Sequence, residues 1–177
     1  MYIFAISGSL RPASTNTSLL RTVARLVPAG VVVDLYDGLD DLPHFSPDRD
    51  TDNPPVAVAM LRRRLRDADA VLICTPEYAH GVPGVLKNML DWVVSSGEFV
   101  DKPTGVITAA TEGDFAHASL LETLRMMSAN RVDGASLLVP FVRTKVNSDG
   151  HITDLPTARA VQLLLDALVG AIQPHQL

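Results

Sequence analysis

Short apolar, β-branched runs alternate along the chain with longer segments whose apolar residues recur at helical spacing. The runs are Tyr2–Ile6, Val31–Leu35, Ala70–Cys74, Gly105–Ala109 and Ala135–Val139. The segments between and after them are 17–27, 55–66, 83–94, 115–127 and 156–172. In the first, Leu19, Leu20, Val23, Leu26 and Val27 share one helical face; in the last, Val161, Leu164, Leu165, Leu168, Val169 and Ile172 do. Ala70-Val71-Leu72-Ile73-Cys74 is apolar at every position, the pattern of a strand covered on both faces. Five strands alternating with five helices predict an α/β fold, a parallel sheet with helices on both faces. Right-handed crossovers and short loops favour the doubly wound form, with strand order 2-1-3-4-5 preferred for five strands. One domain is expected over residues 1–177, with no linker or repeat. The irregular stretch Asp37–Pro54, rich in Asp and Pro, is longer than a plain connection needs. It reads as a lid, a subunit contact or a surface excursion.

Composition and charge remove several classes of partner. With 47% hydrophobic and 20% charged residues the chain is expected to fold as a soluble globule, not to remain disordered. A formal net charge of −5 gives no electrostatic reason to expect nucleic acid. The one dense basic run, Arg62-Arg63-Arg64 with Arg66, lies beside Leu61 and Leu65 at helical spacing and reads as a solvated helix face. Cys74 is the only cysteine, which excludes an internal disulfide and zinc-type spacing and fits a reducing cytoplasm. No basic leader precedes the first apolar run, and no apolar stretch approaches the roughly 20 residues that span a bilayer. Neither a membrane partner nor a metal is expected.

Ligands of open α/β sheets bind beyond the carboxyl ends of the strands, where the strand order reverses. For order 2-1-3-4-5 the loops after strands one, three and four converge there. The first, Ser7 to Thr17, holds five hydroxyl side chains (Ser7, Ser9, Ser14, Thr15 and Thr17), Arg11 and Asn16, and runs straight into a helix. Unpaired N–H groups at a helix start welcome an anion, and hydroxyls with an arginine add directional donors for a phosphate. Taken alone, the same residues are also an ordinary helix N-cap. There is no Gly-x-Gly-x-x-Gly and no Gly-Lys-Ser/Thr ending, which argues against dinucleotide and NTPase loops. The second loop, Thr75 to Gly84, has two prolines and two glycines around Tyr78 and His80, and suits the face and edge of a planar heterocycle as well as plain exposure. The third, Ala110 to Phe115, offers Thr111 as a donor to a ligand carbonyl and Gly113 for backbone freedom, or is only a turn.

Ser7-Gly8-Ser9-Leu10-Arg11-x-x-Ser14-x-Asn16, taken with Pro76-Glu77-Tyr78, Pro83-Gly84-Val85-Leu86-Lys87-Asn88 and Asp91-Trp92, resembles the NADPH-dependent FMN reductase family over most of the chain. That family includes proteins described as quinone, azo-dye or chromate reductases. The resemblance implies a flavodoxin-like fold and non-covalent FMN, reduced by NADPH or NADH in a ping-pong cycle and reoxidised by a small acceptor. It places Ser9, Arg11, Ser14, Asn16 and Thr17 at the FMN phosphate. Pro76, Glu77, Tyr78, Ala79, His80 and Gly81 fall along the ribityl chain and ring, and Thr111 and Gly113 close the pyrimidine side. It also implies a homodimer or homotetramer, for which Asp37–Pro54 and the helix carrying Trp92 are candidate contacts. Trp92 itself reads as core packing. Two departures bear on ring contacts: Ala79 and Gly81 stand where relatives often carry Asn then Ser, and Phe115-Ala116 where they often carry Gly-Gly. No catalytic acid, base or nucleophile is expected, because the flavin carries the chemistry.

Three other functions share such a sheet. A flavin-binding electron carrier or redox sensor is the principal alternative, although a charge of −5 is mild for an acidic docking surface. A phosphatase needs a nucleophilic Cys with an Arg six residues on, where Cys74 is followed by His80. A receiver domain needs acids after strand one, where this chain has none.

Overall fold

A computed structural model describes residues 1–147 and 149–172; residue 148 and residues 173–177, the last part of the expected domain, lie outside the described residues. The strands are β1 (Tyr2–Ser7), β2 (Val32–Tyr36), β3 (Ala70–Thr75), β4 (Pro103–Ala109) and β5 (Asn130–Val139). The helices are α1 (Thr15–Leu26), α2 (Val56–Asp67), α3 (Gly84–Val94), α4 (Asp114–Met126), α5 (Val142–Lys145) and α6 (Leu155–Ile172). All neighbouring strands pair in parallel, in the order β2-β1-β3-β4-β5. This is the doubly wound order preferred from the pattern and the flavodoxin-like fold that the resemblance implied.

Strand alternation divides the core between two faces. Ile3, Ala5, Leu72 and Cys74 meet α1 and α6 through Leu19, Leu20, Leu164 and Leu168. Phe4, Ile6, Val71 and Ile73 meet α2, α3 and α4 through Leu61, Leu65, Leu86, Leu90 and Leu120. Both sets are buried, which is why β3 is apolar at every position. Helix α6 has the length and composition of a membrane-crossing helix, but its apolar stripe is buried against β4 and β5. Its apolarity is that of a core helix.

Three features depart from the pattern. Strand β5 begins at Asn130, five residues before its apolar run. It is an edge strand, largely exposed at its start, and its register against β4 shifts between Thr104 and Val106. Helix α5 has only four residues and leaves no periodicity to read. The arginine run on α2 is a solvated face only at Arg63 and Arg66: Arg62 is 8% exposed and donates to Asp50 Oδ1 at 2.6 Å and, through Nε, to the Trp92 carbonyl at 3.2 Å. Arg64 donates to Asp34 at 2.6 Å and lies over the rings of Phe4 and Tyr36. Long apolar stems let arginines on a helix flank reach partners that helical spacing does not reveal.

Asp37–Pro54 is stitched to α3 over much of its length. Trp92 Nε1 donates to the Pro43 carbonyl at 2.7 Å, and Asn88 both donates to that carbonyl and accepts from the Phe45 N–H. Leu39 and Leu42 enter the core, and Trp92 is fully buried, with Phe45 edge-on to it. Asp50 binds Arg62 and Ser95 together.

These hydrogen bonds hold the Asp50 carboxyl below the usual carboxylate range. Its stabilisation is therefore complete above the unfolded-state pKa and is lost as pH falls through the lower folded value. Asp50→Asn, which leaves the Arg62 guanidinium buried without its counter-charge, is expected to cost about 3 kcal/mol at pH 7. In urea unfolding, the gap from wild type should narrow below about pH 4 as the native carboxylate protonates.

Candidate functional site

The carboxyl ends of β1 and β3 lie side by side, and the backbone after β1 turns away at Gly8. The Gly8 N–H donates to the Cys74 carbonyl at 2.8 Å, and a Cβ on Gly8 would sit 2.5 Å from Thr75 Oγ1. Only glycine permits that approach. The chain then closes through a Ser14 N–H bond to the Arg11 carbonyl, and Ser14, extended at φ −77°, caps α1 by accepting from the Thr17 N–H. No acidic residue stands in the first turn of α1. The helix start thus presents hydroxyls and its positive end without a competing carboxylate.

Asn16, 5% exposed, ties this turn to two further strands. Its Nδ2 donates to the Ala109 carbonyl at 3.1 Å, and its Oδ1 accepts from Cys74 Sγ at 3.2 Å. The ends of β3 and β4 are held to the start of α1 by one amide. Burial pushes the Cys74 thiol pKa well up, so Cys74 is a core donor and not a nucleophile.

After β3, Tyr78 and Gly81 exchange both backbone hydrogen bonds, at 2.9 and 3.0 Å, around Ala79 and His80, which have φ of 48° and 58°. Two positive φ values inside a two-residue loop make a type I′ turn, a geometry that favours Asn and Gly. Here Ala and His occupy it. His80 stacks on Phe115, with ring centres 4.3 Å apart. Glu77 Oε2 accepts the Ala116 N–H at 2.8 Å, capping α4 from the neighbouring loop because its own N-cap, Gly113 at φ 112°, has no side chain. One turn on, burial holds the His117 pKa below its ordinary value, and its ring nitrogens lie 2.8 Å from Thr108 Oγ1 and 2.9 Å from Ser136 Oγ. The loops after β3 and β4 are therefore one unit.

These loops enclose a cavity of about 310 Å³. Ser9, Arg11, Ser14 and Asn16 line it with Thr15; Pro76, Glu77 and Tyr78 form a second wall, and Thr111 with Ala109 and Ala110 a third. The remaining wall is Phe141 to Thr144, from the turn after β5. Sequence reading missed that wall, since a four-residue helix gives no pattern and Arg143 stands in no motif; Thr15, one of the first loop's hydroxyls, lines the cavity although the resemblance did not assign it. The other predicted residues lie off this cavity. Thr17 faces a neighbouring groove and bonds Ser7 Oγ at 2.8 Å. Ala79, His80 and Gly81 form the turn beyond Tyr78, and Gly113 packs against Thr108 and Leu138.

A second, more apolar cavity of about 820 Å³ adjoins the first at Tyr78 and Arg11, which line both. Leu39, Leu42 and Pro43 supply one side, and Leu10, Pro83 and Val85 the other. The Asp37–Pro54 segment is thus a wall of the site region. At the outer rim, ligand atoms of Glu77, His80 and Glu112 lie within 4.8 Å of one another, an open group of a kind common on surfaces without an ion.

The family described as NADPH-dependent FMN reductase matches residues 1–144. An NAD(P)H-dependent FMN reductase of Pseudomonas aeruginosa is 31% identical over 172 residues, covering 94% of this chain and 92% of that protein. A 2-hydroxy-1,4-benzoquinone reductase of a Burkholderia species is 33% identical over 171 residues, covering 93% and 92%. Among solved structures, the flavoenzyme NAD(P)H:(acceptor) oxidoreductase FerB of Paracoccus denitrificans superposes with a TM-score of 0.78 at 28% identity, covering 97% of this chain and 96% of its own.

Two substitutions test this geometry. Asn16→Ala strands a buried carbonyl and is expected to lower stability by about 2 kcal/mol in denaturant unfolding. Ala79→Asn places a residue suited to positive φ in the I′ turn and is expected to raise stability by about 1 kcal/mol in the same assay.

Proposed function

The chain belongs to the NADPH-dependent FMN reductase family, and from that membership we propose that it is an FMN-dependent NAD(P)H oxidoreductase delivering electrons to a small acceptor, a quinone or a free flavin. The carrying observation is chemical asymmetry within one cavity. Hydroxyls, Arg11 and the start of α1 stand at one side, and the Pro76–Tyr78 backbone and Thr111 at the other. That set fits a phosphate ester joined to a planar polar ring. FMN held there would supply the redox chemistry that links a nicotinamide donor to the acceptor.

The protein's own part is to hold and to exclude. Ser9, Ser14 and Thr15 donate to the phosphate, and Arg11 offsets its charge. The Thr111 hydroxyl donates to a ring carbonyl, favouring the electron-rich form of the ring. Tyr78 stands between this cavity and the apolar one beside it, which gives the nicotinamide and the acceptor a common approach. No side chain here is assigned as nucleophile, acid or base; the only thiol is sealed in the core. Residues 1–177 act as one FMN-binding domain in this reading. The working form is a homodimer or homotetramer in the cytoplasm, with Asp37–Pro54 and α3 as the candidate contacts.

Absorption spectra of the purified protein with added FMN, before and after anaerobic NADPH or NADH, test the proposal. A perturbed flavin band that bleaches with either nicotinamide and returns on adding a benzoquinone is the expected result. Binding without bleaching by either donor would sink the reductase in favour of an electron carrier.

A further inference from the structure

Arg143 belongs to no motif, yet the fold carries it to the first cavity, which Arg11 also lines. The turn after β5 is pinned against the β4 loop, where the Phe141 N–H donates to the Thr111 carbonyl at 3.0 Å and the Val142 N–H to Ala110 at 3.1 Å. Phe141 takes φ 54°, and Val142 is buried, so the chain direction into Arg143 is fixed. A few residues on, the chain is pinned again, to α1: Thr22 Oγ1 donates to the Gly150 carbonyl at 2.6 Å, and Gly150 lies so close to Ser18 that a Cβ would meet its carbonyl oxygen at 2.6 Å. Between these two anchors Arg143 and Thr144 line the cavity together with Ser14 and Thr15 at the start of α1.

Arginines with a carboxylate partner lie away from this cavity, and the two that line it have none among the described residues. Arg62, Arg63, Arg64, Arg66 and Arg125 each have a carboxylate partner. Among the described residues, neither Arg11 nor Arg143 has an ion pair or a side-chain hydrogen bond, and both face the same cavity. The one carboxylate lining that cavity, Glu77, is engaged through Oε2 by the Ala116 N–H. Two arginines without an ion pair line one cavity with hydroxyls and a helix start, and leave positive charge there without a protein counter-charge. A phosphate monoester carries about −1.5 to −2 near neutral pH and matches two cations better than one.

We propose that Arg143 is a second cationic ligand of the flavin phosphate, closing the site from the β5 side while Arg11 holds it from the β1 side. The proposal rests on the reading of this cavity as the FMN site, and it deepens that reading by predicting how the protein tells FMN from riboflavin. These flavins share the ring and ribityl chain and differ by the phosphate alone, so a residue that reads the phosphate affects one and spares the other.

Flavin-stripped wild type, Arg143→Gln and Arg143→Lys are titrated with FMN and with riboflavin, following flavin fluorescence. Arg143→Gln is expected to weaken FMN about tenfold, the scale of one charge-assisted hydrogen bond, and to leave riboflavin unchanged. Arg143→Lys should recover part of the loss, since it keeps the charge without the planar fork. The deficit should shrink at 0.5 M salt, where the screening length is only about 4 Å. Thermal melting of the flavin-free variants should match wild type, because Arg143 is exposed and unpaired. Equal weakening of both flavins, or of neither, overturns the proposal. So does a variant that changes only NADPH binding, which would move Arg143 to the nicotinamide. Wild type that binds neither flavin instead removes the cofactor reading itself, a result separable from any behaviour of the variants.

Discussion

One buried amide organises this site. Asn16 stands in the first turn of α1, yet both ends of its side chain are spent on other strands, the donor on the carbonyl that ends β4 and the acceptor on the thiol near the end of β3. A buried polar group left unpaired is costly, so these bonds set the distance between the helix start and the two strand ends that face it. Gly8 adds the backbone counterpart, bringing the turn after β1 against Thr75 where no side chain fits. The hydroxyl-lined end of the cavity and its Pro76–Tyr78 end are therefore parts of one frame. The resemblance assigned Asn16 to the phosphate; the structure adds that its amide is committed to holding the cradle's shape.

Around this frame the loops are joined to one another more than to the sheet. Glu77 caps α4 across the gap between the loops after β3 and β4, and His80 stacks on Phe115 over the same gap. Phe115 stands where relatives often carry the first glycine of a pair, and Ala79 where they often carry asparagine. The two departures lie in adjoining loops, and the His80–Phe115 stack offers a physical link between them. A tight turn holding two residues at positive φ stores strain of the kind that persists where surrounding contacts over-determine the backbone.

The long Asp37–Pro54 stretch has a comparable logic. Its contacts are directed to α3 through the Pro43 carbonyl and to α2 through Asp50 on Arg62, and its inner side lines the larger apolar cavity. Helix α3 begins right after the loop that carries Tyr78. The wall of the larger cavity and the residue dividing the two cavities are thus supported by the same helix.

Much of this was legible from residue order alone. Period-two and helical spacing are local consequences of burying one or two faces, so the alternation of runs predicted the parallel sheet, and topology then placed the loops after β1, β3 and β4 at one edge. The motif residues Ser9, Arg11, Ser14, Pro76, Glu77, Tyr78 and Thr111 are brought together on one cavity. What spacing could not show depends on partners distant in the chain. Arg62 is buried because Asp50 and the Trp92 carbonyl meet it, and Arg143 faces the cavity because Thr111 and Ser18 hold its flanks. Local pattern is written by solvent, one residue at a time, and the sequence by itself determined the elements and the edge where they meet. The pairing of polar groups, the tight turn at Ala79 and His80, and the fourth wall of the site were decided only by tertiary structure, because a hydrogen bond or an ion pair exists only once folding has brought both of its halves together.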